Sequence, residues 1–192
     1  MDKAIMEKAD RVIFDTYKRF SVVFTRGRGC TLEDTEGRTY TDFVAGIAVC
    51  NLGHAHEGVA EAVSAQARRL VHVSNLYYTE PQTELAAWLV ERSFADRVFF
   101  CNSGAEANEA AIKLARKYYK DRGETDRYRI ITMEGSFHGR TMATLAATGQ
   151  DKIKKGFDPL LEGFDIVPFN DLQAVREAVS PETCAVMLEP IQ

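Results

Sequence analysis

Apolar residues recur at intervals of three and four along several stretches of the chain, and this spacing is typical of amphipathic helices. It predicts helices over residues 2–18, 57–70, 81–92, 104–120 and 171–179. Shorter runs of β-branched and aromatic residues, bounded by glycine and polar residues, favour strands. These strands are predicted at residues 21–25, 30–34, 39–42, 97–101, 128–133, 164–168 and 183–188.

The order of these elements predicts two kinds of structure. The first three strands follow one another with glycines between them, which indicates a small antiparallel meander. From residue 97 onward strands alternate with helices, apart from a less regular stretch at 141–157. This alternation predicts an α/β fold with a mostly parallel sheet covered by helices on both faces. Ligands of such sheets bind beyond the carboxyl ends of the strands.

The segment from Cys101 to Glu109, Cys-Asn-Ser-Gly-Ala-Glu-Ala-Asn-Glu, follows one of these predicted strands. It places an N-cap residue, a glycine and small side chains at the start of a helix. The unpaired N–H groups and the positive end of the helix dipole attract an anion, and the small residues leave them accessible. We interpret this turn as a phosphate cradle, with an ordinary capped helix as the alternative.

Composition narrows the classes of protein to consider. The chain has 192 residues, of which 45% are hydrophobic, and this suffices for a domain with a buried core. A net charge of −4 disfavours nucleic acid and anionic membranes as main partners. The charged N-terminus does not resemble a secretory signal, no apolar run reaches the length of a membrane span, and the cysteines have no paired spacing. We therefore predict a cytoplasmic protein with reduced thiols.

Two histidines raise the question of a metal site. His54 and His56 lie two residues apart, but the sequence offers no evident third ligand near them. We predict no metal site.

Three segments of the chain resemble signature sequences of one enzyme family. They are residues 102–116 around the cradle, 135–141 (Gly-Ser-Phe-His-Gly-Arg-Thr) and 188–192 (Leu-Glu-Pro-Ile-Gln). Their content and order are similar to those of the class III aminotransferases, from Phe20 to the last residue. The resemblance implies a fold type I transferase with pyridoxal 5′-phosphate (PLP) as cofactor.

The resemblance also implies a domain organisation and a partner. Residues 1–50 are expected to be the N-terminal segment of a small domain, and residues 51–192 the first, truncated part of the large cofactor-binding domain. Enzymes of this family form their active sites at a homodimer interface. The loop at residues 71–78 is our candidate for contributing to that interface.

Individual residues acquire roles through the same resemblance. Ser103, Gly104 and Ala105 are expected to bind the cofactor phosphate. Phe137 is expected to stack on the cofactor ring, although the residues alone, without the family motif, favour a core phenylalanine. Glu189, at the end of the last strand, is expected to lie near the cofactor.

Arg140 is the expected substrate-binding residue. A guanidinium group is planar and suited to a two-point contact with a carboxylate, and the family motif places this arginine on the α-carboxylate of the amino donor. A surface arginine is the alternative. His138 is expected to support the loop rather than to act as a base, because a lysine moves the proton in this family.

That lysine, and the acid that pairs with the ring nitrogen of the cofactor, are both expected beyond Gln192. The lysines present in the chain do not lie in a similar motif: Lys3, Lys8, Lys18, Lys113, Lys117, Lys120, Lys152, Lys154 and Lys155. We therefore assign no catalytic residue within the chain. It is expected to be the inactive N-terminal part of a longer enzyme.

Within the family, the resemblance is strongest to enzymes of arginine biosynthesis that transfer the δ-amino group of N-acetylornithine to 2-oxoglutarate. This transfer is expected to follow a ping-pong mechanism, with the amino group carried on the pyridoxamine form of the cofactor. Ornithine, succinylornithine or 4-aminobutyrate as donor is an alternative, because Arg140 suits several of them. A non-catalytic module that binds a phosphate ligand or a protein partner is a further alternative if the chain is complete.

Overall fold

The computed structural model describes residues 2–191, and the chain forms two compact units that divide between Gln82 and Thr83. The helix α4 (Glu80–Glu91) contains this division. The predicted domain boundary after residue 50 concerns the domains of a complete enzyme and stays a prediction.

Unit 1 is built on a three-stranded antiparallel sheet. Its elements before α4 are α1 (Asp2–Val12), β1 (Phe24–Arg28), β2 (Thr31–Asp34), β3 (Thr39–Thr41), α2 (Ala45–Ala48) and α3 (Glu57–Arg69). The strands follow the order β1-β2-β3, which confirms the predicted meander. The single turn α2 has left-handed backbone angles at Gly46 and Ile47, with φ of 63° and 60°.

Two elements of unit 1 differ from the sequence-based expectation. The helix α1 ends at Val12 rather than at residue 18, and none of its residues is buried. A short helix is stabilised mainly by packing of its apolar face. Without such packing, an apolar pattern in the sequence does not continue α1 to residue 18. Strand β1 begins at Phe24 rather than at residue 21, because the polar segment that ends at Arg28 pairs with β2 across the turn at Gly29.

Unit 2 is an α/β structure around a parallel sheet. Its elements after α4 are α5 (Gly104–Lys120), β4 (Arg129–Met133), α6 (Met142–Ala147), α7 (Asp151–Lys154), β5 (Phe164–Val167), α8 (Leu172–Ala178) and β6 (Thr183–Val186). The strand order is β5-β4-β6, and both pairings are parallel. This confirms the predicted fold class and places β4 at the centre of the sheet.

Side chains that alternate along β4 pack against helices on opposite faces of the sheet. Ile130 packs with Ile112 of α5 and with Ala143 and Ala147 of α6. On the other face, Ile131 and Met133 pack with Val167 and with the apolar side of α8. Both faces of β4 are therefore covered, as expected for a strand in which all four residues from Ile130 to Met133 are buried.

Two predictions for unit 2 were wrong. Residues 97–101 do not form a strand, since none of the strands described between residues 2 and 191 pairs with them. The stretch at 141–157 is more regular than predicted and contains α6 and α7. Five of the six residues of α6 are buried, so this helix has no polar face and lacks the amphipathic spacing that reveals surface helices.

Two further features of the described residues concern membrane-spanning helices and the state of the cysteines. No helix within residues 2–191 combines the length and the apolar character needed to cross a bilayer. Cys30, Cys50, Cys101 and Cys184 are free thiols.

Candidate active site

Two of the predicted site segments lie at the same edge of the sheet of unit 2. The loop at 134–141 follows β4, and Glu189 follows β6, the parallel neighbour of β4. The carboxyl ends of parallel strands meet at one edge, where ligands of open α/β sheets bind. The first turns of α5 contact the same loop through His138 and Thr141, which brings the predicted phosphate cradle to this edge.

The cradle is a capped helix N-terminus. Ser103 is the N-cap, and its Oγ accepts a hydrogen bond from the amide of Glu106 at 3.2 Å. The Glu106 carboxylate accepts in turn from the amide of Asn102 at 2.7 Å, in an arrangement similar to a capping box. These bonds hold the turn rigid and leave the Ser103 hydroxyl hydrogen available to an anion.

The amides of Gly104 and Ala105 precede the first intrahelical hydrogen bond, which runs from Ala107 N to Ser103 O at 3.0 Å. Helix geometry directs such amides out of the helix end. A Cβ added at Gly104 meets no atom within 4 Å, so this end is open. An open, positively polarised helix end suits a phosphate group.

The loop after β4 is held by the chain segment that follows α6. The amide of Gly135 donates to the carbonyl of Gly149 at 2.8 Å, and the amide of Gly149 donates to Oγ of Ser136 at 3.1 Å. The amide of His138 donates to Oγ1 of Thr148 at 2.9 Å. Ser136, His138 and Thr148 are buried, so the backbone of this loop is part of the core.

Phe137 and Arg140 extend from this fixed backbone toward solvent. The Phe137 ring is 48% exposed although its two neighbours in the chain are buried. A core phenylalanine would not show this exposure, and an open ring face is what stacking on a flat heterocycle requires. Arg140, three residues further on, is also exposed.

His138 is buried, with 5% of its surface exposed, and its Nε2 has no hydrogen-bond partner among the residues described. Burial lowers the pKa of His138, and the nearby carboxylate of Glu189 opposes this effect only in part. Burial therefore favours the neutral form of the imidazole. A buried polar atom normally has a partner, so this nitrogen marks the loop as a place where a polar ligand group fits.

These observations test whether PLP fits the site. The cradle supplies amides for a phosphate, Phe137 supplies an open aromatic face for a ring, and the unpartnered nitrogen of His138 supplies a polar contact. PLP has a phosphate, a flat pyridine ring and polar ring substituents. The residues present therefore fit this cofactor.

The two histidines of the Leu-Gly-His-Ala-His run have structural partners in unit 1. His54 Nε2 lies 2.6 Å from Oδ2 of Asp42, and Nδ1 of His56 accepts from the amide of Val59 at 3.4 Å. His56 is thereby the N-cap of α3. Across residues 2–191 no group of three or more histidine, cysteine or acidic side chains is placed to hold a metal ion.

Two residues of α5 that connect the cradle to the loop were missed by sequence reasoning. Asn108 donates to the carbonyl of His138 at 2.7 Å, and Glu109 accepts from the hydroxyl of Thr141 at 2.5 Å. The sequence does contain a signal for these two residues. They follow Gly104 and Ala105 by four positions, and residues four apart lie on the same side of a helix.

A parallel sheet flanked by helices, with a capped helix N-terminus and an exposed aromatic ring at its carboxyl edge, fits a PLP-dependent transferase of fold type I. The chain belongs to the class III aminotransferases, because the model of the family "Aminotransferase class-III" matches residues 13–192. The cofactor of this family is PLP, which confirms the prediction of fold and cofactor.

Two curated relatives of the chain have the same name. The acetylornithine aminotransferase of Gloeobacter violaceus is 58% identical over 188 residues, which cover 98% of this chain and 47% of the relative. That of Myxococcus xanthus is 53% identical, with the same coverage of both chains. The chain thus spans about half the length of the curated relatives it matches.

Solved structures also match almost the whole of this chain with about half of their own length. The ornithine aminotransferase of Toxoplasma gondii superimposes with a TM-score of 0.94 at 29% identity, covering 100% of this chain and 46% of that one. An ω-transaminase of Thermomicrobium roseum gives a TM-score of 0.90 at 28% identity, covering 99% and 49%.

Proposed function

We propose that the chain is the N-terminal part of an acetylornithine aminotransferase, which transfers the δ-amino group of N-acetylornithine to 2-oxoglutarate in arginine biosynthesis. The observation that carries this proposal is the 58% identity over nearly the whole chain to an enzyme of that name. The geometry of unit 2 supports it, because an anion cradle, an aromatic ring and an exposed arginine surround one edge of the sheet. Cytoplasmic location is part of the same proposal.

Different residues of the chain bind different parts of the cofactor and of the amino donor. Ser103, Gly104 and Ala105 hold the phosphate, and Phe137 covers one face of the ring. Glu189 lies near the ring beside His138 and contributes negative charge there. Arg140 binds the α-carboxylate of the donor in a two-point contact, so that the amino group at the far end of the donor reaches the cofactor.

Bound PLP supplies the carbonyl carbon that accepts the amino group and a conjugated ring that stabilises negative charge next to it. A lysine must also reach this site to move the proton. The lysines of α5 are exposed, and Lys154 donates to the carbonyl of Ala146 at 3.1 Å. We propose that the required lysine is supplied by the part of the relatives that this chain does not span, and that residues 1–192 alone do not catalyse the transfer.

The enzyme is further proposed to act as a homodimer whose interface includes the loop at residues 71–78. Support comes from the large apolar side chains of that loop, since Leu76, Tyr77 and Tyr78 are all more than half exposed. Exposed apolar patches of this kind mark protein interfaces. Light scattering of the full-length enzyme and of its Tyr78→Asp variant tests this: a dimer that dissociates on substitution supports it, and a wild-type monomer contradicts it.

The experiment that tests the function is a comparison of amino donors. The full-length enzyme is loaded with PLP, and kcat/KM is measured with N-acetylornithine, ornithine, succinylornithine and 4-aminobutyrate, each with 2-oxoglutarate as acceptor. We expect the highest kcat/KM for N-acetylornithine. A clear preference for 4-aminobutyrate or ornithine contradicts the proposed donor but retains the transaminase. No transfer from any donor contradicts the proposed enzyme, and binding of a phosphate ligand without catalysis then becomes the leading hypothesis.

A further inference from the structure

The hydrogen bonds between α5 and the loop at 134–141 connect two parts of the site that have separate tasks. The first turn of α5 forms the phosphate cradle. The loop carries Phe137 and Arg140. Asn108 and Glu109, one turn further along α5, bond to loop residues that are 30 and 32 positions away in sequence.

The two bonds lie on either side of a short piece of backbone. The Asn108 side-chain amide donates to the carbonyl oxygen of His138 at 2.7 Å. The hydroxyl of Thr141 donates to Oε1 of Glu109 at 2.5 Å. Between the two bonded groups lie only Gly139 and Arg140, so the backbone that carries the arginine is held from both sides.

Steric contact fixes the same piece of backbone from a third direction. A Cβ added at Gly139 would lie 2.8 Å from Cβ of Ala105, in the cradle itself, and 2.6 Å from Oγ1 of Thr144. Gly139 has φ of 135°, which residues with a side chain rarely adopt. The loop is therefore in direct contact with the first turn of α5, and the two hydrogen bonds hold it there.

The hydroxyl of Thr141 is itself oriented by its neighbours. Its Oγ1 lies 2.7 Å from Oγ1 of Thr144, and the amide of Thr141 donates to that same Thr144 oxygen at 3.1 Å. Because Thr144 is buried and belongs to α6, this network joins the carboxylate of Glu109 to the core. A carboxylate acceptor makes the bond from Thr141 charge-assisted and hence stronger than a neutral one.

We propose that Asn108 and Glu109 are positioning residues for the amino donor: they set the distance between the phosphate cradle and Arg140. This inference rests on the proposed function. A donor molecule has a limited span between its carboxylate and its reacting amino group, set by the number of bonds that join them. Productive binding therefore requires a fixed separation between the arginine and the cofactor, and the enzyme achieves it through α5.

The test uses the full-length enzyme loaded with PLP and an unreactive ligand. N-acetylnorvaline has the carboxylate and acetyl group of N-acetylornithine but lacks the δ-amino group, so its dissociation constant reports carboxylate binding without catalysis. Calorimetry compares the wild type with Asn108→Ala, Glu109→Ala and Lys113→Ala. The last substitution is the matched control, because Lys113 is an exposed residue on the same helix.

We expect Asn108→Ala and Glu109→Ala to weaken binding of N-acetylnorvaline about tenfold, and Lys113→Ala to change it less than about twofold. Glu109→Gln retains an oxygen that accepts from Thr141 and is expected to restore most of the affinity. Thr141→Ser retains the hydroxyl and Thr141→Val lacks it. This pair probes the bond to Glu109, together with the contact to Thr144, from the loop side and leaves Glu109 unchanged.

A kinetic comparison separates positioning from general stability. In Glu109→Ala, the KM of N-acetylornithine is expected to rise about tenfold. Pentylamine is an amino donor without a carboxylate, so its KM should change less than about twofold, and so should the dissociation constant of PLP. Weaker PLP binding with unchanged affinity for N-acetylnorvaline overturns the inference and leaves a structural role. A wild-type enzyme that neither binds N-acetylnorvaline nor uses N-acetylornithine contradicts the proposed function instead.

Discussion

Arg38 Nε donates to Oδ2 of Asp34 at 2.6 Å, and the carboxylate that accepts this bond is only 1% exposed. The same carboxylate accepts from the hydroxyl of Tyr40 and from the amides of Glu36 and Arg38. A single aspartate thus closes the β2–β3 turn and orients the residues on both sides of it. Burial by itself raises the pKa of Asp34, but these hydrogen bonds, above all that from Arg38, lower it to about 2.

This relationship predicts a dependence of stability on pH. The folded-state pKa of Asp34 lies below its ordinary value of 3.8, so the carboxylate stabilises the fold fully above that value. The contribution is lost as the pH falls from 3.8 toward 2. The difference in Tm between the full-length wild type and its Asp34→Asn variant should therefore be large at pH 6 and should shrink in acid. Asp126→Asn, at an exposed aspartate, serves as the control, and a difference independent of pH contradicts the prediction.

Gly139→Ala is expected to destabilise the fold by about 2–5 kcal/mol, from backbone strain and overpacking together. The added methyl group would meet Ala105 and Thr144 at less than 3 Å, and the backbone cannot move away because the loop is bonded on both sides. Gly123→Ala is the matched control: Gly123 has φ of 83° but no atom lies within 4 Å of an added Cβ. It isolates the backbone effect, expected at about 1–2 kcal/mol. Urea unfolding of the two variants measures the difference, and equal losses would exclude a steric role for Gly139.

Phe137→Leu tests the stacking assignment. Because the ring is half-exposed, its replacement does not open a cavity in the core, and the fold should be retained. The dissociation constant of PLP is expected to rise about three- to tenfold, the equivalent of one aromatic contact. Fluorescence titration of the apoenzyme measures it. Phe137→Tyr keeps the ring and should bind PLP as the wild type does; a loss of affinity in both variants argues for a packing role.

Arg140→Lys tests the carboxylate contact. Lysine keeps the charge but cannot form the two-point contact, so the KM of N-acetylornithine is expected to rise about 10- to 100-fold. Steady-state kinetics with pentylamine provides the comparison, because this donor has no carboxylate and its KM should be unchanged. An equal rise for both donors places Arg140 outside the carboxylate site.

The sequence by itself determined the class of fold and the bounds of the helix whose N-terminus is the proposed cradle. The helix α5 has the bounds that its periodicity predicted, Gly104–Lys120. Its apolar stripe, its N-cap and its capping glutamate all favour a helix over the same residues. The central strand β4 was predictable from its β-branched residues Ile130, Ile131 and Thr132, which favour a strand, and helices cover both of its faces. The three signature segments further indicated the family and the cofactor.

Only the tertiary structure decided which elements form from weaker patterns. Residues 97–101 have the composition of a strand but no partner strand among residues 2–191, and a strand exists only through pairing. The helix α6 has no polar face to reveal it, and it forms because the core surrounds it. Asn108 and Glu109 read as helix residues in the sequence. Their contacts to His138 and Thr141 depend on how α5 packs beside β4, because hydrogen bonds across 30 residues are set by packing and not by local spacing.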